Sequence, residues 1–382
     1  MAHYQNEYTV ENGLSIIKTA DAIPHAKQTI LDERSGEQFG LFCRWDKLNV
    51  GILKYFRFSQ VNFIAGRSGS GKSFLANMLR EDFLDRSNTI YQNSKEINKG
   101  SKFYTAEDVD FLDIGCKYYP DSRLIELPNG DLERRGINRR CDFEVVLIHF
   151  GFEMAPESEI LRTVAGIMGV SYSELLSSKY NYDTGDYAVL SKEKMDCAFS
   201  IMDTMGKRRE WYVPISGNVQ QMDNTVDFIQ GLNPDAKLVI FLDHTFLTKK
   251  LDESGDSELV QNLSNIAVKW RQTYHAMVNF VNQLNNKIED DARKVKASLH
   301  YPGKSDIHFG SQMWWAADNV LVPHRPKLLG IQKYGVDKVS TDELIHLGLI
   351  KSRMGKEGDI WLREDLDHSR IHQSSQEYFM VG

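Results

Sequence analysis

The sequence predicts an α/β protein with a mainly parallel sheet, helices on both faces and late antiparallel strands, and three observations carry this. A phosphate-loop pattern stands between an apolar strand and an apolar-faced helix. From about Gly40 onward, short strand-like runs alternate with helical patterns, which marks a mainly parallel sheet. After Asp318 the strand-like runs crowd together, and the last two are joined by a hairpin-like turn.

In chain order, residues 1–19 carry no pattern. DAIPHAKQTILDERSG then reads as a helix over Asp21–Arg34: Asp21 can cap it, Pro24 suits its first turn, and Gly36 stops it. Its stripe of Ile23, Ala26, Ile30 and Leu31 is too narrow for a core of its own, so this helix must dock on its own domain or on a neighbour. Strands are expected at Val61–Ala65, Val145–Phe150, Trp211–Ile215, Leu238–Leu242 and Met277–Val281. Later strands are expected at Asn319–Pro323, His346–Arg353 and Asp359–Arg363, with the turn Met354–Gly358 between the last two. One helix should bury Leu259, Val260, Leu263, Ile266, Ala267, Trp270 and Tyr274; another should bury Met195, Ala198, Phe199, Met202 and Met205. The polar segment of about 88–141 is too long for an ordinary connection and reads as an insertion, a small β-rich excursion. The expected division is an N-terminal segment, 1–40, followed by one domain, 41–382, that carries this insertion.

Composition bounds the function. The chain has 382 residues; 46 Lys and Arg against 53 Asp and Glu leave a net charge of −7, which does not advertise a nucleic-acid partner. A ring-shaped protein, however, needs only a local basic lining. Cys43, Cys116, Cys141 and Cys197 lie far apart with no C-x-x-C pair, so they suit a reducing cytoplasm and argue against a disulfide framework or a structural zinc site. No apolar run approaches the ~20 residues of a membrane span, and the polar start is no signal peptide. A cytoplasmic protein with no membrane partner is expected.

Gly66-Arg67-Ser68-Gly69-Ser70-Gly71-Lys72-Ser73 fits G-x-x-x-x-G-K-[ST] at every fixed position. The glycines let backbone N–H groups turn inward to cradle phosphate oxygens, Lys72 would reach the β- and γ-phosphates, and the Ser73 hydroxyl would hold Mg²⁺. The following helix presents Phe74, Leu75, Met78, Leu79 and Phe83 on one face, and an anion at its N-terminus gains free N–H groups and the helix dipole. A nucleoside triphosphate is the expected ligand. Lys237–Asp243 is an apolar strand ending in an acid, placed beside the phosphate-loop strand, where Asp243 can complete the Mg²⁺ shell or merely cap the next helix. Glu153, just past VVLIHF, is either a base that orients water or a solvated loop acid. Gln283, in the amide-rich end of the strand from Met277, either touches the γ-phosphate or caps a turn.

Six ordered segments resemble the RecA-fold motor domain of the DnaB-type replicative helicases, especially the short phage members. They are FIAGRSGSGKS, GFEMAPESEILRTVAG, VIFLDH, VNQLN, SDIHFGSQMWWAADNVLVPHRP and IKSRMGKEGDIWL, covering about Trp45 to Arg370. The resemblance implies ATP and Mg²⁺ as cofactors, with Glu153 as base, Gln283 as γ-phosphate sensor and Arg353 as arginine finger. Lys351, two residues earlier on the same strand, points to the same side. It also implies a homo-oligomeric, hexameric ring with ATP between subunits, the Asp21–Arg34 helix packing on a neighbour, and single-stranded DNA in the channel. The loops facing that channel hold Lys249 and Lys250, then Arg293, Lys294, Lys296 and Lys304, ending at Gly310; the other reading is a solvated charge cluster beside Glu289, Asp290 and Asp291. Relatives contact a primase or a loader through a helical N-terminal domain, and too few residues precede Asp21 to form one. A RecA-like filament recombinase and a non-motor regulatory ATPase are the competing readings.

Overall fold

A computed structural model of the chain describes residues 7–9, 15–35, 38–86, 88–91, 103–104, 110–111, 116–117, 123–126, 132–138, 141–250, 255–291, 293, 300–307 and 310–374. Nine strands form the main sheet: β1 (Val61–Gly66), β2 (Val145–Gly151), β3 (Glu210–Val213), β4 (Lys237–Asp243), β5 (Met277–Gln283), β6 (Asn319–His324), β7 (Leu344–Ser352), β8 (Gly358–Asp365) and β9 (Arg370–Gln373). Their spatial order is β3-β2-β4-β5-β1-β6-β7-β8-β9. From β3 to β6 all neighbours run parallel, whereas β7, β8 and β9 add on antiparallel. This is the mixed α/β architecture expected. β9 carried no sequence signal strong enough to anticipate it.

The helices used below are α1 (Thr19–Ser35), α2 (Asp46–Gly51), α3 (Lys72–Leu84), α4 (Pro156–Met168), α5 (Lys192–Met205), α6 (Val219–Leu232), α7 (Asp256–Thr273) and α8 (Gly310–Ala316). Alternate strand residues feed two cores, one on each face. Val239 and Phe241 of β4 pack with Leu75, Leu79 and Phe83 of α3. Leu238, Ile240 and Leu242 pack with Leu259, Leu263 and Trp270 of α7. A strand buried on both faces has no polar side to show, which is why these runs read as continuous apolar stretches. Between the cores, Asn62 of β1 accepts from Asn319 at 2.8 Å and donates to Asn279 at 2.9 Å. These fully paired amides bind β5, β1 and β6 together in one register.

Several expectations need correction. Strand β4, expected beside the phosphate-loop strand, does not adjoin β1, because β5 lies between them; Asp243 still reaches the phosphate loop because α3 packs back on β4, with Phe83 6.0 Å from Phe241 between ring centroids. On α5 the buried residues are Cys197, Ala198 and Met205, while Met195 and Phe199 are exposed. The apolar arc there is wider than the face that finds a partner. Cys197 is disulfide-bonded, against the expectation of four free thiols, whereas Cys43 and Cys141 are free and buried. Sequence spacing does not report spatial proximity.

Within the insertion, Asn88–Tyr91, Leu132–Arg135, Arg123–Glu126 and Phe103–Tyr104 pair antiparallel in that order, separate from the main sheet. Helix α1 starts at Thr19, so Asp21 lies in its first turn and does not cap it. None of its residues is buried; Ile23, Ile30 and Leu31 are 46%, 68% and 57% exposed. One tie to the domain is Glu33, which pairs with Arg57 at 2.8 Å and accepts from the Tyr55 hydroxyl at 2.7 Å. Among the described residues, no helix is long and apolar enough to cross a membrane.

Candidate functional site

Strand β1 ends at Gly66 and α3 begins at Lys72, so the phosphate-loop residues form the turn between them. Gly69 and Gly71 take φ of +75° and +90°, a region that L side chains rarely adopt, which is the physical reason for glycine at both. The first-turn N–H groups of α3 have no intrahelical acceptor and face this turn. Lys72 is buried at the same end of the helix.

Asp243 sits at the carboxyl end of β4 and lines one cavity with Ser73. Burial pushes its carboxyl up to about 6; Ser73 and Lys72 oppose the shift, and Glu153 and Glu159 add to it. Its Oδ1 is buried without a hydrogen-bond partner. A hydroxyl, a carboxylate with an orphaned oxygen and further acids nearby make a hard-oxygen setting that fits Mg²⁺. Among the described residues no three His, Cys, Asp or Glu side chains gather into a metal cage.

Strand β2 aligns Gly151 with Asp243, and the Phe152 N–H donates to the Asp243 carbonyl at 2.9 Å. Glu153 follows at once, exposed, and lines a cavity of about 100 Å³ with Ser73 and Asp243. Gln283 closes β5 opposite Gly66 and is exposed. Lys72, Ser73, Asp243, Glu153 and Gln283 therefore share one edge of the sheet, the carboxyl ends of its parallel strands, where open α/β sheets bind ligands.

Some neighbours of this edge escaped the sequence reading. Arg325, just past β6, donates to the Gly69 carbonyl at 2.6 Å and pairs with Glu364. A cation directly after a strand that neighbours β1 is a signal that was available for it. Arg67 pairs with Glu289, joining the phosphate loop to the segment after Gln283. Behind the cavity, the buried Arg80 donates to Glu159 at 2.6 Å and to Asn77 at 2.8 Å and contacts His149. Burial pushes the Glu159 carboxyl up while Arg80 opposes the shift.

Lys351 and Arg353 lie at the other edge. β6 starts at Asn319 beside Asn62, and β7 returns antiparallel to end at Ser352 opposite Asn319. Arg353 therefore lies where β1 begins, and Lys72 lies where it ends; six residues of strand separate them by roughly 20 Å. Arg353 pairs with Asp318 at 2.8 Å and is 47% exposed along its side chain. Asp318 also holds Arg271 at 3.2 Å and the Val61 N–H at 2.8 Å. Lys351 donates to the Trp314 carbonyl, and Arg353 donates to that of Trp315 at 3.4 Å. Burial holds the Lys351 ammonium below its usual range, with Arg353 and Lys304 adding to the effect and Asp318 opposing it. The turn after Arg353 is tied to the end of α2: the Lys356 N–H donates to the Gly51 carbonyl at 2.9 Å.

The residues assigned to DNA are scattered. Arg293 forms a two-point pair with Asp306 at 2.6 and 3.1 Å and donates to the Tyr301 carbonyl at 2.8 Å. Lys294 and Lys296 lie outside the described residues, and Gly310 opens α8. Lys250 pairs with Asp256 at 2.5 Å, while Lys249 is exposed. Lys304 lies in the segment that Asn285 bonds through Ser305 and Asp306, and its side chain reaches over the rings of Trp314 and Trp315.

No family model matches the sequence, and no curated protein matches it. Solved structures do. The ATPase domain of G40P aligns with a TM-score of 0.61 at 14% identity, covering 92% of this chain and 99% of that one. A DnaB-like replicative helicase, from a structure that describes its interactions with primase, aligns with a TM-score of 0.62 at 13% identity, covering 95% of this chain and 69% of that one. The chain thus has the RecA-like fold of DnaB-type helicase ATPase domains.

Proposed function

We propose that this chain is an ATP-dependent DNA helicase, a hexameric ring motor that hydrolyses ATP to move on single-stranded DNA and unwind duplex. The observation that carries the reading is the division of the catalytic set between two edges of one sheet. Lys72, Ser73, Glu153, Asp243 and Gln283 face one crevice, while Lys351 and Arg353 lie about 20 Å away, beyond reach of their own subunit's phosphates. A guanidinium so placed serves a neighbouring copy.

In this reading the phosphate-loop N–H groups and Lys72 hold ATP, Glu153 orients and deprotonates the attacking water, and Gln283 touches the γ-phosphate. Ser73 and Asp243 would hold Mg²⁺, which neutralises phosphate charge when bound. The neighbour's Arg353, released from Asp318, stabilises charge on the transferring phosphoryl group. The exposed Ile23, Ile30 and Leu31 of α1 support docking of that helix on the next subunit. The loops after β4 and β5, with Lys249, Lys250, Lys294 and Lys296, would meet DNA phosphates independently of sequence. The likeness to a DnaB-like helicase described with primase supports a primase or a loader as a further partner.

Electron microscopy with ATP, with and without single-stranded DNA, combined with an unwinding assay on a forked duplex, tests the proposal. Closed rings and ATP-dependent unwinding are expected. Filaments on DNA with strand exchange would turn the reading to a recombinase, and hydrolysis without unwinding to a non-motor ATPase.

A further inference from the structure

We propose that Lys304 is a third cation of the group that the β7 edge presents to a neighbouring copy's triphosphate, acting beside Lys351 and Arg353. This rests on the trans reading of Arg353. In sequence, Lys304 belongs to the loop that follows β5 and was assigned to DNA. In space, its Nζ lies 5.1 Å from the Trp314 ring centroid and 5.3 Å from that of Trp315. The Lys351 Nζ lies 5.3 Å from the same Trp314 ring. Trp315 is 72% exposed, so this cluster meets solvent or a partner.

The charge balance is what singles the cluster out. Arg293, from the same loop, is neutralised by Asp306. Among the described residues, no carboxylate pairs with Lys304, which is held over two indole faces instead. Asp318 is the acid that meets Arg353, and it already serves Arg271 and a backbone N–H. Lys304, Lys351 and Arg353 therefore converge with less acid than they need, and like charges held together are costly unless an anion is supplied. Phosphate oxygens are that anion. The Lys304 backbone is tied to Asn285 through Ser305 and Asp306, but its ammonium shares the Trp314 ring with Lys351, and this shared platform favours the neighbour's triphosphate over a DNA backbone.

The test uses the full chain with Lys304→Met, which keeps an apolar stem on the tryptophans and removes the charge, and Lys304→Arg, which keeps both. Steady-state ATP hydrolysis, single-stranded DNA affinity at several salt concentrations, oligomer size and Tm are measured for each. Lys304→Met should lower kcat about tenfold, the order of one screened charge at an interface, with KM for ATP, Tm and ring size unchanged. Lys304→Arg should retain turnover, and mixing Lys304→Met with Lys72→Ala subunits should recover it in part. DNA affinity should not change. The proposal is overturned if Lys304→Met turns over like the parent chain, or if the salt slope of DNA binding falls by about one with kcat intact, the mark of a lost DNA phosphate contact. Loss of rings or of Tm in both variants would also overturn it, in favour of a packing role. Arg353→Ala run in parallel separates the two readings. If it loses turnover and Lys304→Met does not, only the Lys304 assignment fails; if it keeps turnover, the trans reading fails and Lys304 falls with it.

Discussion

The two edges of the central sheet carry opposite chemistry. At the carboxyl ends of the parallel strands, polar groups converge on an incomplete site: a buried carboxylate with an orphaned oxygen, an exposed glutamate, and a helix start with free N–H groups. At the other edge Arg353 pairs with Asp318 and Lys351 meets Trp314, and the Lys304 side chain reaches the rings of Trp314 and Trp315. One edge offers groups suited to an anion and a hard metal ion, and the other holds cations in excess of the acid that pairs with them. Neither can complete the other within one chain, because the strands that separate them are rigid. In the proposed ring, turnover at one crevice would require the next copy's opposite edge to be in place.

The comparison is broken or sharpened by changes confined to one edge. The largest effect is expected from Lys72→Ala, which removes the charge at the α3 terminus that clamps the phosphates; hydrolysis should be undetectable, and isothermal titration should show weakened ATP binding. Next is Arg353→Ala, with hydrolysis reduced roughly 10³- to 10⁵-fold and ATP binding intact. Mixing these two variants should restore part of the activity, because an Arg353→Ala subunit keeps an intact crevice and a Lys72→Ala subunit keeps an intact finger. No recovery, with subunit exchange confirmed by fluorescence, would show that Arg353 does not act in trans. Lysine at 353 should be a poor substitute, as it lacks the planar fork.

A smaller effect is expected from Glu153→Gln. Turnover should fall by about 10²- to 10⁴-fold, the usual contribution of a positioned base, with ATP affinity unchanged. It lies on the same edge as Lys72, so mixing Glu153→Gln with Lys72→Ala subunits should restore nothing: every interface would still have a damaged crevice. Recovery in that mixture would show that Glu153 acts across the interface and would undo the assignment of edges.

Much of the first edge was legible because its parts are contiguous or obey strand periodicity. The phosphate loop is eight residues in a row, and Asp243, Glu153 and Gln283 each end or follow an apolar run. A parallel sheet places all such strand ends on one side, so their convergence follows from fold class alone. The strand bounds were met to within a few residues for the same reason. Where a face found less cover than its pattern implied, as with Met195 and Phe199 of α5, the reading overshot, since periodicity shows which residues can be buried and not whether a partner arrives.

The chain's own order of residues was enough to establish the α/β class, the triphosphate loop with its acids, and the helix α1 with its unpartnered stripe. All of these are local patterns, written within a turn or a strand. Only the tertiary structure decided that β5 separates β4 from β1, that Arg325 clamps Gly69, that Arg293 is spent on Asp306, and that Lys304 stands with Lys351. Cys197 took a disulfide for the same kind of reason. Each depends on how far-separated segments cross the sheet, and that is set by the packing of two cores at once, which no single stretch of sequence records.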